Sequence, residues 1–355
     1  MSHTVLAINP GSTSTKIAIY DGEELRFEEE MRHSFDELKK FETILDQLDF
    51  RKEAIVERLE QTGFKLAELD AVVGRGGLLR PLKGGTYEVT KKMVNDLKIG
   101  VSGQHASNLG GLIAKDLSTP LGIKAYIVDP VVVDELIPTS RISGHAAYER
   151  ISIFHALNHK ATARKVAKQL GKTYEESRFV IAHLGGGISV AAHLGGEAID
   201  VNNALGGEGP FSPERSGTLP MSAFLEACFE PGASKAEMQK QLVGEGGIIS
   251  YFGTNDMREI ERRIEAGDAE AALVFDAMAI QVSKEIAAVS VYFKGNFDGI
   301  ILTGGLARSQ AFTDKVTELV SWIGRVILSP GEDELKALNE GTQRILAKVE
   351  QAKEY

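Results

Sequence analysis

Cysteine is almost absent. Cys228 is the only one in 355 residues, so no disulfide can form within the chain, and a reducing, cytoplasmic setting is expected. Cys228 itself is expected to be a small buried side chain on a helix. No stretch approaches the roughly 18 uninterrupted apolar residues of a membrane span. The start of the chain shows no charged segment leading into an apolar run, so no signal peptide is expected. Positive charge is in deficit: 40 Lys and Arg stand against 50 Asp and Glu, a net charge of −10. That balance argues against a general nucleic-acid or anionic-membrane binder and leaves room for a local basic pocket. Two familiar nucleotide motifs are missing as well. Gly171-Lys172-Thr173 looks like the end of a P-loop, but Val166 stands where its first glycine belongs. No GxGxxG follows a strand.

What is present is ordinary globular material, 43% hydrophobic and 25% charged, in a length that predicts about two domains. Short apolar runs at 5–8, 16–20, 25–31, 70–74, 123–128, 179–183, 188–194, 198–201, 298–302 and 325–328 read as strands. Helical patterns lie between them, near 36–61, 90–99, 107–117, 152–170, 268–292 and from 333 onward. The longest carries an apolar face at Ala272, Phe275, Ala279, Val282 and Ile286. Strands interleaved with helices predict an α/β fold.

Glycine, 37 residues in all, gathers in a few turns. The first, Asn9-Pro10-Gly11-Ser12-Thr13-Ser14-Thr15-Lys16, joins two strand-like runs. The second is His183-Leu184-Gly185-Gly186-Gly187-Ile188-Ser189. Glycine lets a backbone approach a phosphate closely, and backbone N–H groups and hydroxyls can donate to its oxygens. The two segments are related: residues 5–7 match 180–182 at an offset of 175, and the tight turns Asp21-Gly22 and Gly195-Gly196 match at 174. Each copy reads strand, glycine turn, strand, tight turn, Glu. Such a repeat predicts two similar halves with a ligand bound in the cleft between them.

These segments, AINPGSTSTKIAIYDG at 7–22 and VIAHLGGGISVAAHLGG at 180–196, resemble the two signatures of the acetate/butyrate kinase family. ILTGGLARS at 301–309 resembles the adenosine motif of the wider superfamily of acetate and sugar kinases, heat-shock chaperone ATPases and actin. The resemblance runs along nearly the whole chain. It implies an α/β fold of two lobes of the actin-like, ribonuclease H-like type, each a mixed sheet flanked by helices. The first lobe would take residues 1–150 and 335–355, the second 151–334. HLGGG in place of HLGNG, GEGPFSPERSG in place of a TRSGD-type loop, and the short length bring the chain nearer to the butyrate branch than to the acetate branch.

The resemblance implies reversible transfer of a phosphoryl group from ATP to butyrate or a similar short acid, with Mg²⁺, in a homodimer or higher assembly, and with no nucleic-acid or membrane partner. A carboxylate is already a nucleophile, so the chemistry asks for positioning and charge stabilisation instead of a strong base. Arg75, Asp129, His155 and Arg215 are the implied catalytic residues, with Arg75 and His105 on the acid side. Asn9, Gly11, Ser12, Ser14, Lys16, His183, Gly185, Gly186 and Gly187 would hold the phosphates, and Gly304, Gly305 and Leu306 the adenosine. Asn9 and one residue of Glu332-Asp333-Glu334, with Glu334 favoured, would serve the metal. His159, four residues after His155, reads as a structural hydrogen-bonder. Three other readings stay open on the sequence: an acetate or propionate kinase, a sugar kinase with Asp129 as base, and a nucleotide-dependent binding protein of the chaperone or actin type.

Overall fold

The computed structural model describes residues 2–355. The chain divides into two units, Met1–Val133 with Asp333–Tyr355, and Asp134–Glu332. The sequence reading set these changes at 150/151 and 334/335. Residues 134–150 fall in the second unit because they are bonded to it. The Ile137 amide donates to the Ile199 carbonyl at 3.1 Å, and Arg150 pairs with Asp200 at 2.8 Å.

The first unit is built on a six-stranded sheet ordered β3-β2-β1-β4-β6-β5. β1 (Thr4–Pro10), β2 (Ser14–Asp21) and β3 (Glu24–Arg32) form an antiparallel meander. β4 (Ala71–Arg75) and β6 (Lys124–Val128) extend it in parallel, and β5 (Thr86–Glu88), absent from the sequence reading, closes that edge antiparallel. Val5–Ile8 of β1 are all apolar and fully buried because both faces of the strand are covered. β3 lies at the edge, where the row Glu28, Glu29, Glu30 discourages pairing with another chain.

Arg75 owes its place to glycines. A Cβ on Gly74 would lie 2.0 Å from the Gly110 carbonyl oxygen, and one on Gly110 would lie 2.4 Å from that of Arg75. The helix Asn108–Ser118 therefore packs backbone to backbone on the end of β4. The chain's last helix, Glu334–Leu346, returns to this sheet, its first turn capped by Asp333, which accepts from the Lys336 amide at 3.1 Å.

The second unit repeats the plan. Its five-stranded sheet is ordered β11-β10-β7-β8-β9, with a meander of β7 (Arg178–Leu184), β8 (Ile188–Leu194) and β9 (Glu197–Val201). β10 (Gly299–Gly304) and β11 (Val326–Pro330) extend it in parallel. The order β9-β8-β7-β10-β11 has the same connectivity and directions as β3-β2-β1-β4-β6, so the sequence repeat corresponds to a repeat of topology. Alternation along β7 sends Val180 and Ala182 to the core of the helices Ala269–Ser290 and Gln310–Val320. Phe179 and Ile181 go to the opposite core, with Ala163 and Val166 of the helix Ala156–Gln169. Of the expected face of the long helix, Phe275, Ala279, Val282 and Ile286 are buried, and Ala271 instead of Ala272 continues it, with Val274 and Met278. The helix Met221–Cys228 buries none of its residues, so Cys228 is only half-buried, contrary to the expectation for it.

Because no side chain fits between β4 and the helix Asn108–Ser118, Gly74→Ala should destabilise the protein by about 2–3 kcal/mol through forced separation of the two backbones. A urea unfolding midpoint equal to that of the parent would contradict this packing.

Candidate active site

In the first unit the turn after β1 closes through the Gly11 amide, which donates to the Ser14 carbonyl at 2.8 Å. Ser12 and Lys16 are exposed, Gly11 and Ser14 half-exposed. Beneath the turn lies Arg51, fully buried, from the helix Leu48–Gln61. Its guanidinium donates to the carbonyls of Gly11 (2.9 Å), Ser14 (2.8 Å) and Ser12 (3.2 Å), and to Thr15 Oγ1 (3.0 Å) and Gln47 Oε1 (2.8 Å). Burial pulls its pKa down to about 10, still high enough to keep the charge. The turn's carbonyls are thus gathered inward on a cation, which leaves its hydroxyls and the amides of Ser12 and Thr13 for an anion. The sequence offered no sign of this, because an arginine in the charged helix DFRKE reads as solvated.

A second group forms at the ends of β1 and β4. Asn9 Nδ2 donates to Glu334 Oε2 at 2.5 Å, Arg75 donates to the same oxygen at 2.9 Å, and Arg75 also reaches Asn9 Oδ1 at 3.4 Å. Of the three acidic residues left open by the sequence, Asp333 caps the last helix, Glu334 joins Asn9 and Arg75, and Glu332 lies 3.5 Å from His183 Nε2. Asp129 is buried with φ of 38°. Its carboxylate accepts from the Gly85 amide at 2.6 Å and its own amide donates back to Gly85 at 3.0 Å. These are the bonds of a turn that holds a left-handed residue in place. His105 is exposed, with Nδ1 2.8 Å from Ser107 Oγ.

In the second unit the glycine turn is closely packed, most tightly at Gly187. A Cβ on Gly187 would lie 2.0 Å from the Arg215 guanidinium, one on Gly186 3.2 Å from the Glu214 carboxyl, and one on Gly185 3.0 Å from His183 Nε2. The loop carrying Arg215 is stitched to the turn: Ser212 Oγ donates to the Gly186 carbonyl at 2.6 Å, as does the Glu214 amide at 3.2 Å. Arg215 donates to the Ala204 carbonyl at 2.7 Å, while its buried Nε has no partner among the described residues. Burial lowers its pKa, opposed by Glu214. An unpaired donor on a desolvated guanidinium beside a glycine turn is suited to an anion. Gly304 has φ of 88° and lies so close to β7 that a Cβ would meet the Leu184 carbonyl at 2.3 Å. Gly305 lies beside Glu332, and Leu306 is buried in the short turn that follows.

Four of the eight histidines meet beside this turn. Cross-strand pairing puts His183 opposite Ser189 and Phe179 opposite His193, so His183, Ser189 and His193 share the face covered by the helix Ala156–Gln169. His155 precedes that helix and stacks on His183, with centroids 3.8 Å apart. His183 Nδ1 is 2.9 Å from Asn158 Oδ1. His159 links His193 Nε2 at 3.1 Å to Ser189 Oγ at 2.9 Å. Burial, helped by neighbouring positive groups, pulls the pKa values of His159 and His193 well below the ordinary range. His193 escaped the sequence reading although it stands four residues after Ser189, on the same strand face.

Among the described residues no three His, Cys, Asp or Glu side chains are grouped to hold a metal by themselves, and no helix is long and apolar enough to cross a membrane.

Two predictions follow from these buried groups. Arg51→Met should cost about 3 kcal/mol, because several buried carbonyls lose their donor at once; an unfolding midpoint within error of the parent would contradict the role given to Arg51. His159 and His193 stay neutral in the fold but take up protons in the unfolded chain below its pKa near 6.5. Their contribution to stability is therefore complete above about pH 6.5 and lost as pH falls, by up to about 1.4 kcal/mol per pH unit for each. Urea midpoints between pH 7.5 and 5 should fall less steeply in His193→Gln than in the parent; equal slopes would contradict the assignment.

Residues 146–351 match the model of the acetokinase family. A relative from Listeria monocytogenes serotype 4b, named "probable butyrate kinase", is 60% identical over 355 residues, the full length of both chains. Among solved structures, an acetate kinase from Porphyromonas gingivalis shares the fold with a TM-score of 0.78 at 20% identity, over 97% of this chain and 100% of that one. A propionate kinase from Francisella tularensis gives a TM-score of 0.72 at 19% identity, over 95% and 98%. The fold is that of the actin-like ATPases, with two mixed-sheet domains and flanking helices. The chain belongs to the acetokinase family and is a carboxylate kinase.

Proposed function

We propose that this kinase transfers the γ-phosphoryl group of ATP to butyrate or a similar short or branched acid, reversibly, by direct in-line attack of the carboxylate. The observation that carries the phosphoryl-transfer reading is Arg215. Its guanidinium lies against Gly187, with a buried Nε that has no partner among the described residues. Such a donor is worth most to the charge on a phosphoryl group in flight, in a site where few waters compete. His155 and His183, stacked beside the same turn, add imidazole donors, and the backbone at Gly186 and Gly187 lets phosphate oxygens approach closely. The Gly11–Ser14 turn, backed by Arg51, provides a second set of amides and hydroxyls for the nucleotide phosphates. Gly304, Gly305 and Leu306 serve the adenosine in this reading.

Arg75 pairs with the acid or the transferring group, and His105 takes a place on the acid side. Asp129 acts through the turn it locks with Gly85, a positioning role compatible with its bonds. Mg²⁺ fits Glu334 and Asn9, since this ion is commonly held by one or two carboxylates together with substrate phosphates and water. When bound it would neutralise phosphate charge. The butyrate assignment draws on the name of the Listeria relative and on its 60% identity across the whole chain. Each methylene of the acid that is buried contributes about 0.8 kcal/mol, so preference over acetate is a matter of degree. A cytoplasmic setting and a homodimer or larger assembly complete the reading.

Trapping acyl phosphates as hydroxamates with ATP, Mg²⁺ and a series of acids tests both levels. Butyrate or isobutyrate should give the highest kcat/KM. Fastest turnover on acetate would overturn the substrate, and no acyl phosphate from any acid would overturn the reaction. Arg215→Ala should lower kcat by roughly 10²–10³-fold with an unchanged circular dichroism spectrum; near-parental turnover would remove Arg215 from the site.

A further inference from the structure

The buried histidines form one continuous chain. Tyr174 Oη is 2.8 Å from His193 Nδ1, His193 Nε2 is 3.1 Å from His159 Nδ1, His159 Nε2 is 2.9 Å from Ser189 Oγ, and Ser189 Oγ is 2.9 Å from His155 Nδ1. Tyr174, His193, His159 and Ser189 are all buried. Nothing in phosphoryl transfer to a carboxylate consumes or releases a proton along this route, so the chain is not explained by the chemistry of the reaction.

A neutral imidazole carries one N–H, so in such a chain each link dictates the next. If the Tyr174 hydroxyl donates to His193 Nδ1, the His193 proton must lie on Nε2 and point at His159 Nδ1. The His159 proton then lies on Nε2 and points at Ser189, whose hydroxyl is turned to His155 Nδ1. A neutral His155 is left with its proton on Nε2. The opposite polarity reverses every link and leaves Nε2 of His155 as an acceptor, useless to an anion. Two features favour the first polarity. Imidazole nitrogen is a better acceptor than a phenol oxygen. Lys160 Nζ and Arg164 Cζ each lie 5.4 Å from the Tyr174 ring centroid, and cations beside a phenol strengthen its O–H as a donor. The two internal imidazoles stay neutral through burial, so polarity is not scrambled by an added proton.

We infer that Tyr174, His193, His159 and Ser189 are positioning residues that polarise one hydrogen-bond chain and so hold His155 as an Nε2–H donor toward an anion at the Gly185–Gly187 turn. The anion's identity as a phosphoryl group rests on the function proposed above; the tautomer does not.

The test combines spectroscopy with kinetics. Long-range ¹H–¹⁵N spectra of histidine-labelled protein, with His155 assigned by its loss in His155→Gln, report which ring nitrogen carries the proton. The parent should show the Nε2–H form, and Tyr174→Phe, which removes only a hydroxyl, should raise the Nδ1–H fraction. In the same variant kcat should fall about tenfold, short of the roughly 10²–10³-fold lost when a charge-stabilising donor is removed outright, with KM values within about twofold. His193→Gln keeps an N–H donor toward His159 and should retain more turnover than His193→Leu. An unaltered His155 tautomer in Tyr174→Phe overturns the inference, as does an altered tautomer with parental kcat. If no acid is phosphorylated at all, the proposed function fails while the spectra still decide the tautomer.

Discussion

The guanidinium of Arg215 occupies the space that any side chain at position 187 would need. That one steric fact organises the second unit's site. It calls for glycine at position 187, it goes with a loop 212–215 tied to the turn through Ser212 and Glu214, and it leaves the buried Nε without a partner among the described residues. The glycines therefore do two things at once. They permit close approach of an anion to the backbone, and they let a charged side chain lie flat where it is desolvated and held in place. A buried guanidinium with an open donor is costly to keep, and a site for phosphoryl groups is where that cost has a use.

The first unit reaches a comparable end by other means. Its turn occupies the same topological position, between the first two strands of a meander extended by parallel strands. Here the cation lies beneath the turn, with Arg51 gathering the carbonyls of Gly11, Ser12 and Ser14. One turn is shaped from outside by an arginine laid along it, the other from inside by an arginine buried under it. Duplicated topology thus carries two different electrostatic solutions. The histidine layer has no counterpart among the features described for the first unit and is the more specialised of the two arrangements.

Much of the fold was legible in the sequence because the signals were local. Apolar runs, the Asp21-Gly22 and Gly195-Gly196 turns and the glycine clusters located every strand of both meanders. The short β5 was missed because three residues give periodicity nothing to work on. Unit boundaries were displaced because Ile137 and Arg150 join the second unit through a backbone bond and an ion pair that no composition shift announces. Site residues standing in motifs, such as Arg215 and His183, could be singled out, whereas Arg51, Tyr174 and His193 could not. Their roles depend on partners 19 to 40 positions away in sequence, brought near by strand register and helix packing. The acidic segment shows the same limit: three adjacent carboxylates, Glu332, Asp333 and Glu334, have three different sets of partners.

The central claim is transfer of a phosphoryl group from ATP to a carboxylate oxygen of a short acid. Butyrate labelled with ¹⁸O in both carboxyl oxygens, incubated with the protein, ATP and Mg²⁺ and followed by ³¹P NMR, tests it most directly. The account predicts an acyl phosphate resonance carrying the isotope shift of one ¹⁸O bonded to phosphorus, formed together with ADP. Release of ADP with inorganic phosphate alone, or an acyl phosphate without the label in its bridge, would contradict it.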